Sequence, residues 1–377
     1  MRYVCECSAN VIPIYLKQKF KKGSFYCPFF YLYENSKFML QNKMLLDHLI
    51  KDEKKINRLL YSSGPYWDYK NSRAILEIRK RGLDDFRGTS TSIGTSYADN
   101  LVLDIRNEFN SKGRIVGKLF SLPILNKIFN GQLSLTKNYI DDFIKNQAIV
   151  YQNNKSVENL INKYQFKNTT EFGCVQIFEK LKKKYSTVYL EMADRIDKLS
   201  KLFNFENTKS FFEIGGGFGA NVHFLITNFP NIKKILYLDA VPNIYVGTKY
   251  LEYHFGKKVK NYLDLKNLDK IKFQNNDELE ILCIPPWLIE KVDTEIDHFH
   301  NASSFVEMPK IVIDNYVKFI KKFKTREISL ISYDRHDLKT TFNPEELNPF
   351  FDNKLKISWK NNLIEEYNRK LIYLTSN

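Results

Sequence analysis

A doubly wound α/β domain is what the second half of this 377-residue sequence predicts, and three observations carry that expectation. After residue 170, short apolar runs alternate with amphipathic stretches of helical period, the pattern of parallel strands joined by helices. A glycine-dense turn, Gly215-Gly216-Gly217-Phe218-Gly219, follows the apolar run Phe211–Ile214. An acid, Asp239, ends the next apolar run.

Taken in order, a helical segment from Val175 to Leu202 leads into the first strand, Phe211–Ile214. A helix with Val222, Leu225, Ile226 and Phe229 follows the glycines, and Pro230-Asn231 breaks it before the strand Ile235–Asp239. The next helix has Pro242 suited to its first turn and Gly256 just past its end. Further strands read at Leu279–Ile284, Ile296–Asn301 and Ile328–Tyr333; Ile313, Tyr316, Val317 and Ile320 mark a helix before the last of these. Leu355–Trp359 and Leu371–Thr375 close the series without a strong helix between them, which predicts an antiparallel edge on a seven-stranded sheet.

The first half has a different character. Helical spacing recurs in patches (Phe38 to Leu60, Asn138 to Ile149, Val157 to Tyr164), separated by turn-rich segments at Ser62–Pro65 and Gly88–Ser96. Two domains are expected: a mainly helical cap or substrate domain over 1–170 and an α/β domain over 171–377.

Composition excludes several classes. With 43% hydrophobic and 15% aromatic residues the chain can bury a sizeable core, which rules out a disordered or fibrous protein. No apolar run approaches the ~18 residues of a membrane span. The first residues, interrupted by Glu6 and Lys17, lack a signal-peptide core. Five scattered cysteines make neither a disulfide framework nor a zinc site. A soluble, cytoplasmic protein is expected. The net charge of +15 comes from 58 basic residues, of which lysine dominates over arginine. Base readers lean on arginine, so the expected surface is solvated lysine rather than a nucleic-acid groove. Such a positive field would still draw in an anionic substrate.

The glycine turn carries the chemistry. Glycines between strand and helix let the backbone approach a ligand, and the helix N-terminus offers free N–H groups. A carboxylate at Asp239 can accept both ribose hydroxyls, so the pair of features predicts a nucleoside cofactor. Gly215, Gly217 and Ala220 also satisfy the dinucleotide fingerprint, which keeps an NAD-dependent dehydrogenase open. Glu213 tilts the choice. Inside the strand, its carboxylate would repel a diphosphate but attract the ammonium and sulfonium of S-adenosylmethionine.

The run Glu213-Ile214-Gly215-Gly216-Gly217-Phe218-Gly219 resembles motif I of class I S-adenosylmethionine-dependent methyltransferases. Two further segments, Tyr237–Pro242 and Phe299-His300-Asn301-Ala302-Ser303-Ser304-Phe305-Val306-Glu307-Met308, resemble the N-x-x-S-F-x-E-M pattern of the bacterial sugar O-methyltransferase family. The likeness covers roughly residues 170–325 and implies a Rossmann-like methyltransferase sheet. It also implies cofactor binding by Glu213, Gly215, Gly217, Gly219 and Asp239, with Ile284 and Pro285 beside the adenine. The implied reaction is O-methylation of a sugar or nucleotide-linked sugar, for surface-polysaccharide assembly.

Methyl transfer to an alcohol needs aligned reactants and a base. The strand ending at Asn301 delivers Asn301, Ser303, Ser304 and Glu307 beyond the sheet's carboxyl edge. His300, nearest the strand's end, is a candidate base because its pKa lies near neutrality. Glu307 is the other, and Asn301 and Ser304 would position or shape the site. His298 and His300 share a strand face and could begin a metal site with Asp297 or Glu307; no metal ligand is assigned. Trp67 and Arg87, an aromatic and a guanidinium, are candidates for holding an anionic sugar. Pro285-Pro286-Trp287 resembles the motif of amino N-methyltransferases, yet Ile284 stands where that motif needs a hydrogen-bond acceptor. A nucleic-acid or protein methyltransferase using the basic surface remains an alternative.

Overall fold

Strands buried on both faces should be almost continuously apolar, and those around the glycine turn are. β3 (Ser210–Ile214), β4 (Lys234–Leu238) and β6 (Glu280–Ile284) are buried along nearly their whole length. The computed structural model describes residues 44–88, 155–174, 177–333, 343–359 and 371–376. Within them, two earlier strands, β1 (Phe178–Lys180) and β2 (Lys183–Tyr185), form a small hairpin. The main sheet adds β5 (Val259–Lys260), β7 (His298–Ala302), β8 (Glu327–Tyr333), β9 (Lys356–Trp359) and β10 (Leu371–Thr375), in the order β5-β6-β4-β3-β7-β8-β10-β9.

Every pairing from β5 to β8 is parallel, while β10 runs antiparallel to both β8 and β9. From β3 the chain builds outward through β4 and β6, then returns to the other side of β3 with β7 and β8. That reversal opens a crevice at the carboxyl ends of β3, β4 and β7, where open α/β sheets bind ligands. Ile284, Leu238, Ile214 and Asn301 lie abreast there, in register across four strands. This is an open α/β fold with a mixed, mostly parallel sheet.

Two expectations need correction. The sheet has eight strands rather than seven, because Val259–Lys260 pairs with β6; two residues carry no period that a sequence could display. The expected helix from Val175 to Leu202 is shorter. The hairpin takes its first part, with Leu181 and Lys182 in left-handed conformation at its turn and the buried rings of Phe178 and Tyr185 paired across it. A helix occupies only Thr187–Leu199.

Ahead of residue 170 the described residues form helices joined by turns. We label the longer helices α1 (44–53), α2 (Pro65–Arg81), α3 (Lys155–Lys163), α4 (Thr187–Leu199), α5 (Ala220–Asn228), α6 (Asn243–Phe255) and α7 (Lys310–Lys322). Gly64 precedes α2 at φ 87°, and a Cβ there would meet Pro309 Cδ at 2.9 Å and the Glu307 carbonyl at 3.0 Å. That close approach brings the start of α2 onto the turn after β7. Asn315 on α7 adds a hydrogen bond to the Leu60 carbonyl (3.3 Å), and Tyr61 donates to Glu290. The described residues from Leu45 onward fall in one compact unit. The expected helix at Asn138–Ile149 and most of the Gly88–Ser96 loop lie outside the described residues.

On one face of the sheet, Phe212, Phe299, Phe305 and Phe323 pack beneath α7. Each such ring removes surface worth roughly 1.5–3 kcal/mol from water. This core keeps the carboxyl edge rigid enough to present a site.

Candidate cofactor crevice

The glycine turn is a forced conformation. Gly215, Gly217 and Gly219 have φ of 75°, 62° and 87°, a region that side chains with a Cβ rarely adopt. Space is limiting as well: a Cβ on Gly215 would lie 2.2 Å from Ser304 Oγ. The turn is tied at both ends. Gly215 N–H donates to the Leu238 carbonyl (2.8 Å), Gly217 N–H donates to Asp239 Oδ2 (2.8 Å), and Gly219 caps α5.

Two carboxyls flank the turn. Asp239 is 6% exposed, and its second oxygen accepts the Ala240 N–H at 2.7 Å. Burial pushes its pKa up to about 7 against the lowering effect of those N–H groups, and neighbouring Glu307 adds to the rise. Glu213 is 2% exposed. Its Oε1 accepts from Asn221 (2.9 Å), while Oε2 is buried with no hydrogen-bond partner. Burial raises this carboxyl to about 7 also, and Asp239 contributes. A Cβ on Gly216 would meet Glu213 Oε2 at 2.6 Å, so the bare oxygen is aimed at the glycine turn. An unsatisfied buried acceptor costs roughly 1–3 kcal/mol, more when charged. Here it faces the backbone of the glycine turn.

The segment after β7 forms the opposite wall. Asn301 Nδ2 donates to the Ile214 carbonyl (2.8 Å) and to Ser304 Oγ (2.6 Å), and its Oδ1 accepts from Phe305 N–H (3.1 Å). Ser304 in turn leans on the Ile214 carbonyl at 3.3 Å. Both side chains therefore clamp the entrance of the glycine turn. Ser303 between them is left-handed at φ 68°, and the Glu307 carboxyl beyond it adds to the rise in the Asp239 pKa. Glu307 is 6% exposed and accepts a hydrogen bond from Trp67 Nε1 at 2.8 Å. Lys70 sits over the same indole, 4.9 Å from its centroid.

Other sequence candidates fall elsewhere. His300 is 2% exposed, its Nδ1 hydrogen-bonded to Ser329 Oγ (2.8 Å) and its ring against Phe211. Burial drops its pKa to about 3, which leaves a neutral imidazole in the core. His298 lies beside it among Phe203, Phe205 and Phe211. Asp297 turns to the Lys209 and Ser210 amides and to Arg326. Among the described residues no three His, Cys, Asp or Glu side chains converge as a metal site would need.

Arg87 lies inside the packed core in this arrangement. It is 0% exposed, donates to the Thr169 carbonyl (3.0 Å) and Ser186 Oγ (2.9 Å), and lies against the rings of Tyr189, Phe218 and Tyr250. Since Phe218 belongs to the glycine turn, Arg87 supports the crevice from below. Ile284 ends β6 at the crevice level and is fully buried.

Three contributors escaped the sequence reading. Tyr237 donates to the Gly217 carbonyl (2.5 Å), Asn221 holds Glu213, and Gly247 makes room for the Tyr237 hydroxyl. A polar residue in the first turn of a helix otherwise buried was the one available signal for Asn221.

No protein-family model matches this sequence. No curated protein does either. Among solved structures, the pyocyanin biosynthetic protein PhzM aligns at 11% identity and TM-score 0.33, over 50% of this chain and 57% of its own. The mitomycin 7-O-methyltransferase MmcR aligns at 10% identity and TM-score 0.32, over 50% and 56%. The magnesium protoporphyrin IX methyltransferase of Synechocystis PCC 6803, with bound SAM, aligns at 8% identity and TM-score 0.34, over 65% and 96%. The chain thus spans little more than half the length of the first two.

Proposed function

We propose that this chain is an S-adenosylmethionine-dependent O-methyltransferase whose acceptor is a sugar or nucleotide-linked sugar. The observation that supports it most is the bare Glu213 oxygen under the glycine turn, beside Asp239. A diphosphate would bring negative charge against two carboxyls, whereas an ammonium or sulfonium would stabilise them in ionised form. In this reading Glu213 takes the cofactor's ammonium, the glycines line its chain, Asp239 takes its ribose hydroxyls, and Ile284 with Pro285 flanks its adenine.

The bound cofactor supplies a methyl carbon made electrophilic by the sulfonium. The protein's part is alignment, worth ~7–11 kcal/mol when complete, and removal of the acceptor's hydroxyl proton, worth ~10²–10⁴-fold. Glu307 is the base: it lies across the crevice near Asp239, and Trp67 fixes one of its oxygens. Asn301 and Ser304 position the turn and exchange no proton. Trp67, at the start of α2, would stand on the acceptor side, which its contact with Glu307 supports. The sugar, and a cytoplasmic role in polysaccharide assembly, rest on the likeness of the Asn301–Met308 segment to the sugar O-methyltransferase pattern.

Incubation with labelled S-adenosylmethionine and a panel of nucleotide sugars, read by mass spectrometry, should show a gain of one methylene on a sugar. Calorimetry that finds NAD binding in place of S-adenosylhomocysteine would sink the reading. Methylation confined to RNA, with salt-sensitive retention on it, would shift the acceptor to nucleic acid.

A further inference from the structure

Tyr237 lies under the glycine turn, fully buried on β4, with Glu213 of β3 as its register partner. Two glycines from different elements make room for it. A Cβ on Gly216, in the turn, would stand 2.6 Å from the edge of the Tyr237 ring. One on Gly247, in α6, would stand 2.0 Å from its hydroxyl. A side chain at either place would displace the phenol. The hydroxyl so confined donates to the Gly217 carbonyl, while the Gly217 N–H donates to Asp239 Oδ2 at 2.8 Å. Gly217 is thereby pinned twice, by Tyr237 on β4 and by Asp239 just after that strand.

The turn needs such pinning. Glycine visits both signs of φ readily, so the peptide between Gly217 and Phe218 has two orientations open to it. In a trans peptide the C=O and N–H point in opposite directions. With the carbonyl drawn down to Tyr237, the N–H edge of that peptide is turned away from β4; flipped, the peptide would carry its carbonyl there instead. We propose that Tyr237 is a positioning residue for the cofactor: its hydroxyl holds the Gly217 carbonyl out of the crevice, where it would otherwise face the α-carboxylate of the cofactor's amino-acid end. This rests on the proposed cofactor and adds to it a residue that acts on the ligand through the turn.

The test is calorimetry with S-adenosylhomocysteine and with 5′-methylthioadenosine, which lacks the amino-acid end. The proteins are wild type, Tyr237→Phe, Gly247→Ala and one carrying 4-aminophenylalanine at position 237. Tyr237→Phe removes the donor and should weaken S-adenosylhomocysteine roughly three- to tenfold, with 5′-methylthioadenosine held within about twofold. Gly247→Ala crowds the same hydroxyl from α6 and should give the same selective loss. The 4-aminophenylalanine protein regains a donor and should bind S-adenosylhomocysteine within about twofold of wild type. Unchanged S-adenosylhomocysteine affinity in Tyr237→Phe would overturn the assignment while sparing the cofactor. Equal loss of both ligands, or no rescue by the amine, would make Tyr237 a packing residue and overturn it as well. Wild-type protein that binds neither ligand would remove the cofactor reading itself.

Discussion

Glu213 and His300 are partners in register on adjacent parallel strands, and each is 2% exposed. Their environments nevertheless lead to opposite ends. His300 meets Ser329, an imidazole and a phenyl ring, and becomes a neutral, satisfied member of the core. Glu213 keeps one oxygen bare and shares its surroundings with a second raised carboxyl. Burial alone therefore does not mark a site. What distinguishes the crevice from the histidine-lined floor one strand away is polar capacity left unused, which folded proteins otherwise rarely tolerate.

The largest effect that would sharpen this contrast comes from Gly215→Ala. The added methyl meets Ser304 in a backbone conformation that already disfavours it, at a strain on the order of 1–3 kcal/mol before the clash. S-adenosylhomocysteine binding measured by calorimetry should disappear. Adding Ser304→Gly should restore part of it, because that removes the clash and leaves the φ. Next, Glu307→Gln should slow methyl transfer by ~10²-fold or more with cofactor affinity held within about twofold. A variant that turns over normally would remove Glu307 from the chemistry.

A smaller effect concerns pH. Glu213 and Asp239 titrate near 7 in the fold against 4.5 and 3.8 ordinarily. The folded form then binds more protons than the unfolded chain between about pH 4 and 7, so ligand-free stability falls as pH rises through that window. Ligand affinity moves the other way: it should climb from pH 5.5 to 7.5 as both groups ionise, by up to about tenfold per pH unit for each proton released. Glu213→Gln should flatten both slopes, and a wild type flat in both would break the contrast drawn above. The smallest effect belongs to His300→Gln, which keeps a hydrogen bond toward Ser329. Melting temperature should drop by a few degrees while turnover per folded molecule stays within about twofold. If instead turnover collapsed in a folded variant, the histidine floor would have to be counted with the site.

Much of this was legible beforehand for a local reason. The strands around β3 are buried on both faces, so their apolar runs needed no partner to be recognised, and Gly215, Gly217, Gly219 and Asp239 stand at fixed offsets from those runs. The hairpin at Phe178–Tyr185 was not legible, because three-residue strands leave no period and the lysines between them suit a helix equally. The same limit hid β5.

Chemistry divides along a similar line. The order of residues was enough to place Glu213 beside a glycine turn and Asp239 one strand over, since chain connectivity sets both. It could not say that His300 and Arg87 would be drawn into hydrogen bonds with Ser329, Thr169 and Ser186, or that Trp67 would reach Glu307 from 240 positions away. Hydrogen-bond saturation and proton affinity depend on neighbours distant in the chain, and only folding brings those together.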